Sequence, residues 1–313
     1  MIALQIAGGL CLLILGGETL VRGAVSLAER LKLSSLLIGL TVVAMGGSMP
    51  ELVTTVEAAL LGSPGIAIGN IIGSNIANSL LILGTAAVLV PITVRMGGLR
   101  RDGGVMIALT MLFVFLLIMG FISRLLGALL IAALILYILK AYFDDRNGGS
   151  NDTAGDDDPG GAPKSLPVSI LFVFVGFALL ILGARFLVTG AIDLARLLNV
   201  SETVIGLSVI AFGTSLPELA TSIIAALKRQ GDLVIGNVVG SNIYNIGGIL
   251  GITAIIQPID VPDGINWIDL TFLVGSAFAL VIFVLTGRRI SRVEGGILLA
   301  SYAGFMALLV HHH

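Results

Sequence analysis

Charged residues are scarce in this chain of 313 residues, and so are aromatic residues, cysteine and histidine. Only 12% of the residues are charged and 6% are aromatic, while 57% are hydrophobic. Soluble domains carry about 25% charged residues, so this composition excludes an ordinary soluble globular domain. The few basic residues form no patch with interleaved aromatics, which excludes a nucleic-acid-binding protein.

The chain has one cysteine, Cys11, which excludes an internal disulfide. All three histidines stand at the end of the chain, at 311–313, and are interpreted as the remains of a purification tag. Without them the chain has no imidazole, so histidine metal ligands and histidine acid–base chemistry are not expected. Any chemistry must come from carboxylates, hydroxyls, amides and backbone carbonyls.

Long apolar runs are abundant instead. The mean hydropathy is +1.08, and runs of about 18 or more apolar residues recur along the whole length, as in multi-pass membrane proteins. We predict an all-α membrane protein with ten transmembrane helices of about 20 residues each. The predicted spans are 2–29, 35–61, 66–90, 104–121, 124–143, 167–195, 202–228, 232–256, 267–286 and 291–310.

One stretch of the sequence occurs twice. Adding 167 to any position from Leu15 to Gly84 gives its partner between Leu182 and Gly251, without a gap and with half of the residues identical. Such self-similarity indicates an internal duplication. Because each half holds five predicted spans, an odd number, the two repeats must insert with opposite orientation, as in many secondary transporters.

A polar, acidic and glycine-rich segment separates the two halves. It predicts a flexible linker over 144–166, between a first repeat at 1–143 and a second at 167–310, with the tag remnant at 311–313. A calcium-sensing role for the aspartates at 156–158 lacks the Asp-x-Asp-x-Asp-Gly loop that would favour it. Lysine and arginine concentrate in loops on the linker side, which predicts that both termini are outside and the linker is cytoplasmic.

Each repeat carries a glutamate inside an apolar span. The first copy reads Ala44-Met-Gly-Gly-Ser-Met-Pro-Glu51, and the second reads Ala211-Phe-Gly-Thr-Ser-Leu-Pro-Glu218. A carboxylate at membrane depth is costly and marks a functional site. Each Ser-x-Pro-Glu fits a capping box at the start of a helix, and proline interrupts a preceding helix. We therefore predict that helices 2 and 7 are broken here and leave backbone carbonyls free.

A second motif, Gly-Asn-x-x-Gly-Ser-Asn-x-x-Asn, follows in each repeat and ends at Asn78 and at Asn245. Ser74 lies four residues before Asn78 on the same helix face, and Ser241 is placed likewise before Asn245. Alone, the motif also fits a packing face of small residues joined by amide bonds between helices. Beside the two glutamates, ion coordination is the better interpretation.

Other polar residues leave alternatives open. Asn70 and Asn237 fit either a site role or a helix cap. Glu18 and Arg185 occupy equivalent repeat positions, so they are expected either to pair with each other or to reach separately to a membrane interface.

The donors that the two motifs offer are all oxygen ligands. A hard cation such as Ca2+ takes six to eight oxygens, and two carboxylates neutralise one divalent ion. Soft ligands are absent, which argues against copper or zinc. A purely structural capping box would explain a glutamate at one kink, but it gives no reason for the recurrence at both.

The two motifs, present twice in ten predicted spans, resemble the alpha repeats of the calcium/cation antiporter superfamily, and most closely its prokaryotic sodium/calcium exchangers. The resemblance covers nearly the whole chain except the linker. It implies an antiporter rather than an enzyme, with no cofactor, that exports cytosolic Ca2+ in exchange for Na+ across a prokaryotic cytoplasmic membrane. It also implies alternating access at a mid-membrane site, by sliding of spans one and six, and a monomer would suffice.

The resemblance implies a set of ion ligands on both repeats. They are the glutamates Glu51 and Glu218, the carbonyls of Ala44, Gly47, Ala211 and Thr214, the hydroxyls of Ser48, Ser74, Ser215 and Ser241, and the amides of Asn78 and Asn245.

Two features qualify the resemblance. Gly47 stands where the family usually has threonine, so one hydroxyl is lost and the sodium site on that side is expected to be weaker or more hydrated. Ile71 and Val238 follow the Gly-Asn pairs where proton-coupled members have glutamate, which favours sodium. Proton-coupled antiport of Ca2+ or another divalent cation stays the alternative on the same fold, with a passive cation channel as a further one.

Overall fold

The computed structural model describes residues 2–93, 99–147, 165–197, 211–261, 267–287 and 289–312. Residues 148–164, most of the predicted linker, lie outside these ranges. The helices are α1 (Ile2–Leu31), α2 (Ser35–Gly47), α3 (Met49–Leu60), α4 (Pro64–Leu89), α5 (Leu99–Met119), α6 (Arg124–Asn147), α7 (Leu166–Leu197), α8 (Ala211–Thr214), α9 (Leu216–Leu227), α10 (Gly231–Ile256), α11 (Trp267–Gly287) and α12 (Arg292–His312).

Eight helices of the described ranges are long and apolar enough to cross a membrane, and α2 with α3 makes a ninth if that bent pair is one span. The eight are α1, α4, α5, α6, α7, α10, α11 and α12. The span predicted over 202–228 begins in residues that the structure does not describe, and α8 and α9 form its remainder. An all-helical membrane protein is therefore confirmed at this level.

The two longest helices, α1 and α7, lie against each other along a row of glycines spaced seven residues apart. Gly9 lies against Gly183, and Gly16 lies against Gly176, so the two helices run antiparallel. A Cβ at Gly16 would lie 2.8 Å from the backbone nitrogen of Leu180. Small residues let two backbones approach this closely, so the glycines set the distance between α1 and α7.

The innermost helices are α4 and α10, which carry the Ser-Asn motifs. In their most apolar stretches 72% of α4 and 83% of α10 is buried, compared with 17% of α12. Each contains a π-helical segment, Ala77–Ile82 in α4 and Asn245–Leu250 in α10, that includes the last asparagine of its motif. Such segments are frequent at functional sites.

Two short antiparallel strand pairs join the halves. Strand β1 (Ile92–Thr93) pairs with β4 (Arg289–Ile290), and β2 (Phe121–Ile122) pairs with β3 (Ile259–Asp260). Adding 167 to the positions of β1 and β2 gives those of β3 and, within one residue, β4. The two pairs are therefore equivalent, and each combines one strand from each half.

Candidate ion-binding site

Helices α2 and α3 meet at Ser48 and are bent by 46° relative to each other. Pro50, in the first turn of α3, has no N–H, so it cannot donate to the carbonyl four residues earlier, that of Gly46. The carbonyl of Ala44 does have a partner, because the Ser48 N–H donates to it at 3.0 Å. The prediction that this carbonyl is left free is therefore wrong, although a carbonyl has a second lone pair with which to accept.

The serine hydroxyls at the helix starts do not form capping boxes. Ser48 precedes α3 and Ser215 precedes α9, but neither side chain caps its own helix. Ser48 Oγ instead donates to Glu218 Oε1 at 2.8 Å, and Ser215 Oγ donates to Glu51 Oε1 at 3.0 Å. The capping-box prediction is wrong because each side chain is turned toward a carboxylate on the other half, to which its hydroxyl donates a strong charge-assisted bond, and its oxygen therefore does not accept from the first turn of its own helix.

Both glutamates are buried, each 2% exposed. One oxygen of each carboxylate, Oε2, has no hydrogen-bond partner in the described part of the chain, and neither do the hydroxyl of Ser241 and both polar atoms of the Asn245 side chain. An unsatisfied buried polar group costs about 1–3 kcal/mol. Five such atoms on four predicted site residues therefore mark this region as one suited to a polar ligand.

The two carboxylates differ in their hydroxyl neighbours. Glu51 accepts from Ser215 Oγ, and the side chain of Thr214 lies close to it as well. The repeat equivalent of Thr214 is Gly47, which lies beside Glu218: a Cβ at this glycine would lie 3.1 Å from Glu218 Cγ. The first half thus lacks a hydroxyl that the second half has, and little space remains there for a side chain.

Asn70 joins the inner helix α4 to α3 through two hydrogen bonds. Its Nδ2 donates to the backbone carbonyl of Glu51 at 3.2 Å and to Thr55 Oγ1 at 2.8 Å. Asn237 makes the two equivalent bonds in the second half, at 3.4 and 3.0 Å, the latter to Ser222 Oγ. Of the two interpretations left open, helix capping does not describe these contacts. The site role stays a prediction, and Asn237 Oδ1 is buried without a partner among the described residues. The sequence motifs did not indicate a role for Thr55 or Ser222, although each stands four residues after its glutamate.

The asparagines of the second motif are used differently in the two halves. Asn78 Nδ2 donates to Asn242 Oδ1 at 3.2 Å, and Asn242 Nδ2 donates to Ser79 Oγ at 2.9 Å, which joins α4 to α10. Asn245, the equivalent of Asn78, is buried without a hydrogen bond to the described residues. Ser74 is buried on α4.

Two further points complete the geometry. Ala211 begins α8, and its side chain is outside the described part of the structure. Among the described residues no group of three or more His, Cys, Asp or Glu side chains is placed to hold a metal ion. An ion between the repeats would therefore use two carboxylates and otherwise neutral oxygens.

An ion pair links α1 to the helix that carries Glu218. Glu18 Oε1 lies 2.6 Å from Arg22 Nη2 and 2.8 Å from the Nζ of Lys228, the residue that ends α9. The alternative in which Glu18 pairs with Arg185 is therefore wrong. The sequence did not indicate this contact because Lys228 lies in a loop far along the chain.

Comparison with known proteins agrees with this geometry. The family described as "Sodium/calcium exchanger protein" matches residues 1–143 and 168–311, which is nearly the whole chain except the linker region. The chain belongs to the sodium/calcium exchanger family. The resemblance inferred from the motifs is thereby confirmed.

Relatives within the exchanger family cover nearly the full length of the chain. One is the putative antiporter CaxA of Alkalimonas amylolytica, 37% identical over 306 residues, with 96% of each chain covered. Another is the sodium/calcium exchanger MaX1 of Methanosarcina acetivorans, 33% identical over 345 residues, with 97% of each chain covered.

The fold is also similar to solved structures of the sodium-calcium exchanger NCX_Mj. A form soaked with Na+ and Sr2+ superimposes with a TM-score of 0.82 at 32% identity, covering 98% of this chain and 99% of that one. A form soaked with Na+ and Ca2+ gives a TM-score of 0.81 at 33% identity, covering 97% and 96%. Sodium and calcium ions are thus the substrates associated with this family and fold.

Proposed function

We propose that this protein exports cytosolic Ca2+ in exchange for Na+, at a site between its two repeats. The observation that carries the proposal is the reciprocal pair of bonds between the halves: Ser48 donates to Glu218, and Ser215 donates to Glu51. These bonds hold two buried carboxylates at the junction of the repeats, each with one oxygen unpartnered among the described residues.

The two carboxylates carry two negative charges when ionised, which neutralise the charge of one Ca2+. The remaining ligands would be the neutral oxygens that hard cations prefer. The same oxygens suit Na+, so the two ions compete for the glutamates. A doubly negative site without an ion is costly inside a membrane, and this cost opposes a change of access by the empty protein, which couples the two fluxes. The proposed ligands besides the glutamates are Ala44, Gly47, Ser48, Ser74, Asn78, Ala211, Thr214, Ser215, Ser241 and Asn245.

The proposed architecture is ten transmembrane helices in two inverted five-helix repeats, with breaks in the second and seventh. The repeats are 1–143 and 167–310, joined by a segment over 144–166 whose first residues, to Asn147, extend α6. Support comes from the bend at Ser48 and from the two equivalent strand pairs that each combine one strand from either half. An inverted repeat places a shared site near the middle of the membrane.

Alternating access would come from α1 and α7 moving together against the other helices. The glycine row between them supports this view, because it joins α1 and α7 into a closely packed pair. The positive-inside rule supports a cytoplasmic linker and external termini, in the cytoplasmic membrane of a prokaryote.

The test is uptake of radioactive Ca2+ into proteoliposomes that are loaded with Na+ and diluted into Na+-free buffer. Glu51→Gln and Glu218→Gln should each abolish uptake, since removing one of two ligand charges costs several kcal/mol in a buried site, more than about a hundredfold in rate. The matched control is Glu57→Gln, which changes an exposed glutamate on the same helix as Glu51 and should leave uptake intact.

Near-normal uptake in either site variant would refute the assignment of the glutamates. A parallel sample with choline inside and an imposed pH gradient separates the alternatives. Uptake driven by the pH gradient alone would indicate proton coupling, and uptake that needs no counter-ion at all would indicate a channel.

A further inference from the structure

A cavity of about 540 Å³ lies away from the ion site, at the end of the molecule where β1 pairs with β4. Its walls come from the end of α4, the turn between α9 and α10, and the turn between α11 and α12. Three arginines line it, Arg229, Arg289 and Arg292, and the described lining residues include no Asp or Glu. The size is that of a small-molecule site.

The three arginines are free to bind an external anion. None of them forms an ion pair with a described residue, and Arg292 Nη2 donates only a long bond of 3.4 Å, to the carbonyl of Leu89. The nearest acid on α12, Glu294, is engaged by the N–H and the hydroxyl of Ser291, both at 2.7 Å.

Helix α10 adds backbone donors to the same cavity. Its first residue, Gly231, lines the wall, and the residue before it, Gln230, makes no side-chain cap. The N–H groups of the first turn and the helix dipole favour a negatively charged group. Asp232 already places one carboxylate in this turn, so the arginines must supply the main attraction for an external anion. Guanidinium groups bind the oxygens of a phosphate in the same way, with paired hydrogen bonds.

The other half of the molecule provides an internal comparison. Arg229 corresponds to Gly62 in the first repeat. The strand pairing makes Arg289 and Arg292 correspond to Phe121 and Arg124, so the repeat fold does not require arginine at two of the three places. Arg229 adopts a left-handed backbone with φ of 57°, where its equivalent is a glycine with φ of 72°. Arginine is unfavourable in that conformation, so its presence needs a reason other than the turn.

The positive-inside rule explains why basic residues lie at this end of the protein, but it does not require three of them to line one cavity. The rest of the wall is apolar, and its Leu89 and Leu227 are 43% and 57% exposed. Arginines next to exposed leucines suit an anionic phospholipid. Its phosphate would contact the arginines, and its acyl chains would lie beside the leucines.

We propose that this cavity binds a phosphate group, supplied by the headgroup of an anionic phospholipid. The lipid would bridge the α9–α10 turn, the α11–α12 turn and the end of α4. This role is separate from ion exchange, since none of the cavity residues belongs to the proposed ion site.

The experiment uses the full-length protein in detergent, with bound lipid counted by native mass spectrometry and stability followed by thermal unfolding. Phosphatidylglycerol should bind and raise the unfolding temperature, because a ligand that binds only the folded state stabilises it. Phosphatidylcholine should do neither. The variant with Arg229→Gln, Arg289→Gln and Arg292→Gln should bind phosphatidylglycerol about tenfold more weakly or worse.

Arg124→Gln is the matched control, because Arg124 is exposed at the turn between β2 and α6, away from the cavity, and this variant should bind like the parent. The single variants Arg289→Gln and Arg292→Gln keep the test usable if the triple variant does not fold, and each should show a partial loss. Equal binding of both lipids by the parent, or unchanged phosphatidylglycerol binding in the arginine variants, would overturn the proposal.

Soluble probes distinguish the source of the phosphate. Inorganic phosphate and glycerol 3-phosphate are added in place of lipid, to the parent and to the arginine variants. Stabilisation by phosphatidylglycerol alone supports the lipid headgroup. Stabilisation by the soluble phosphates to the same degree, lost in the arginine variants, supports the phosphate site but refutes the lipid as its necessary source.

Discussion

The two halves of the molecule carry the same motifs in different surroundings. Glu51 accepts a hydrogen bond from Ser215 and has the side chain of Thr214 nearby, whereas Glu218 accepts from Ser48 and lies beside Gly47. Both halves keep a serine that donates to the glutamate of the other half. The neutral oxygens around them have diverged, so the two sides of the proposed ion site are expected to differ in affinity.

Among the variants that test this difference between the halves, the largest effect is expected at the glycines that precede Ser48 and Ser215. A Cβ at Gly46 would clash with the ring of Phe177 on α7, whereas at Gly213 the neighbour is the smaller Val188. Gly46→Ala should displace the ring from this position, at about 1–3 kcal/mol for overpacking, and lower the initial rate of Ca2+ uptake about tenfold.

Two further variants show whether the ring is the cause. Adding Phe177→Ala to Gly46→Ala should restore most of the lost rate, because the ring is then absent. Gly8→Ala is the matched control, since no atom lies within 4 Å of a Cβ built there. A double variant as slow as Gly46→Ala alone would mean that the alanine acts in some other way than through Phe177.

The hydroxyl of Thr214 should have the next largest effect. Thr214→Ala makes the second half resemble the first, and loss of a hydroxyl beside Glu51 is expected to cost about 1 kcal/mol, the worth of one hydrogen bond. We expect the Na+ concentration for half-maximal Ca2+ uptake to rise about fivefold. Thr41→Ala is the control, because that hydroxyl bonds the carbonyl of Leu37 in its own helix at 2.7 Å. Equal shifts in the two variants would show that this asymmetry has no effect on ion binding.

The ion pair between Glu18 and Lys228 should have the smallest effect. The repeat equivalents of these residues are Arg185 and Leu61, so the symmetry-related contact cannot form as an ion pair. In an inverted repeat the two access states exchange the roles of the halves, so an ion pair that has no symmetry-related counterpart favours one state. Both side chains are partly exposed, and such pairs contribute about 0.2–1 kcal/mol.

Glu18→Gln should therefore shift the ratio of apparent Ca2+ affinities from the two membrane sides, by about twofold to fivefold, in vesicles of defined orientation. Lys228→Gln should produce the same shift, and the double variant should add nothing. Arg185→Gln, at the equivalent position, is the control. Additive effects of Glu18→Gln and Lys228→Gln would show that the ion pair does not determine the equilibrium between the two access states.

The sequence predicted those features that depend on local pattern or on repetition. Apolar runs gave the helical membrane class, and the duplication singled out Glu51 and Glu218. The partners of the serines were not predictable in this way, because Ser48 bonds a residue 170 positions away. A capping box is a local pattern, and it does not reveal a competing carboxylate that only the tertiary fold supplies.

Other features are visible as sequence patterns, but their role becomes clear only when it is known which helices are in contact. The glycines at Gly9 and Gly16, with their equivalents in the second half, recur every seven residues, and only contact between α1 and α7 explains them. Thr55 follows Glu51 at the spacing of one helical turn, yet its role appears only when Asn70 of α4 lies opposite. The three arginines of the cavity come from turns that are distant in sequence.

The strand pairs have a consequence for how such a chain can be divided. Each pair takes one strand from either half, so a half on its own leaves both of its strands with open hydrogen-bonding edges. The covalent link between residues 147 and 165 takes no part in these pairings. Two separately synthesised halves would thus carry every complementary edge needed to reassemble in one membrane. By the same reasoning, an unduplicated half would have needed a second copy of itself to pair both of its strands.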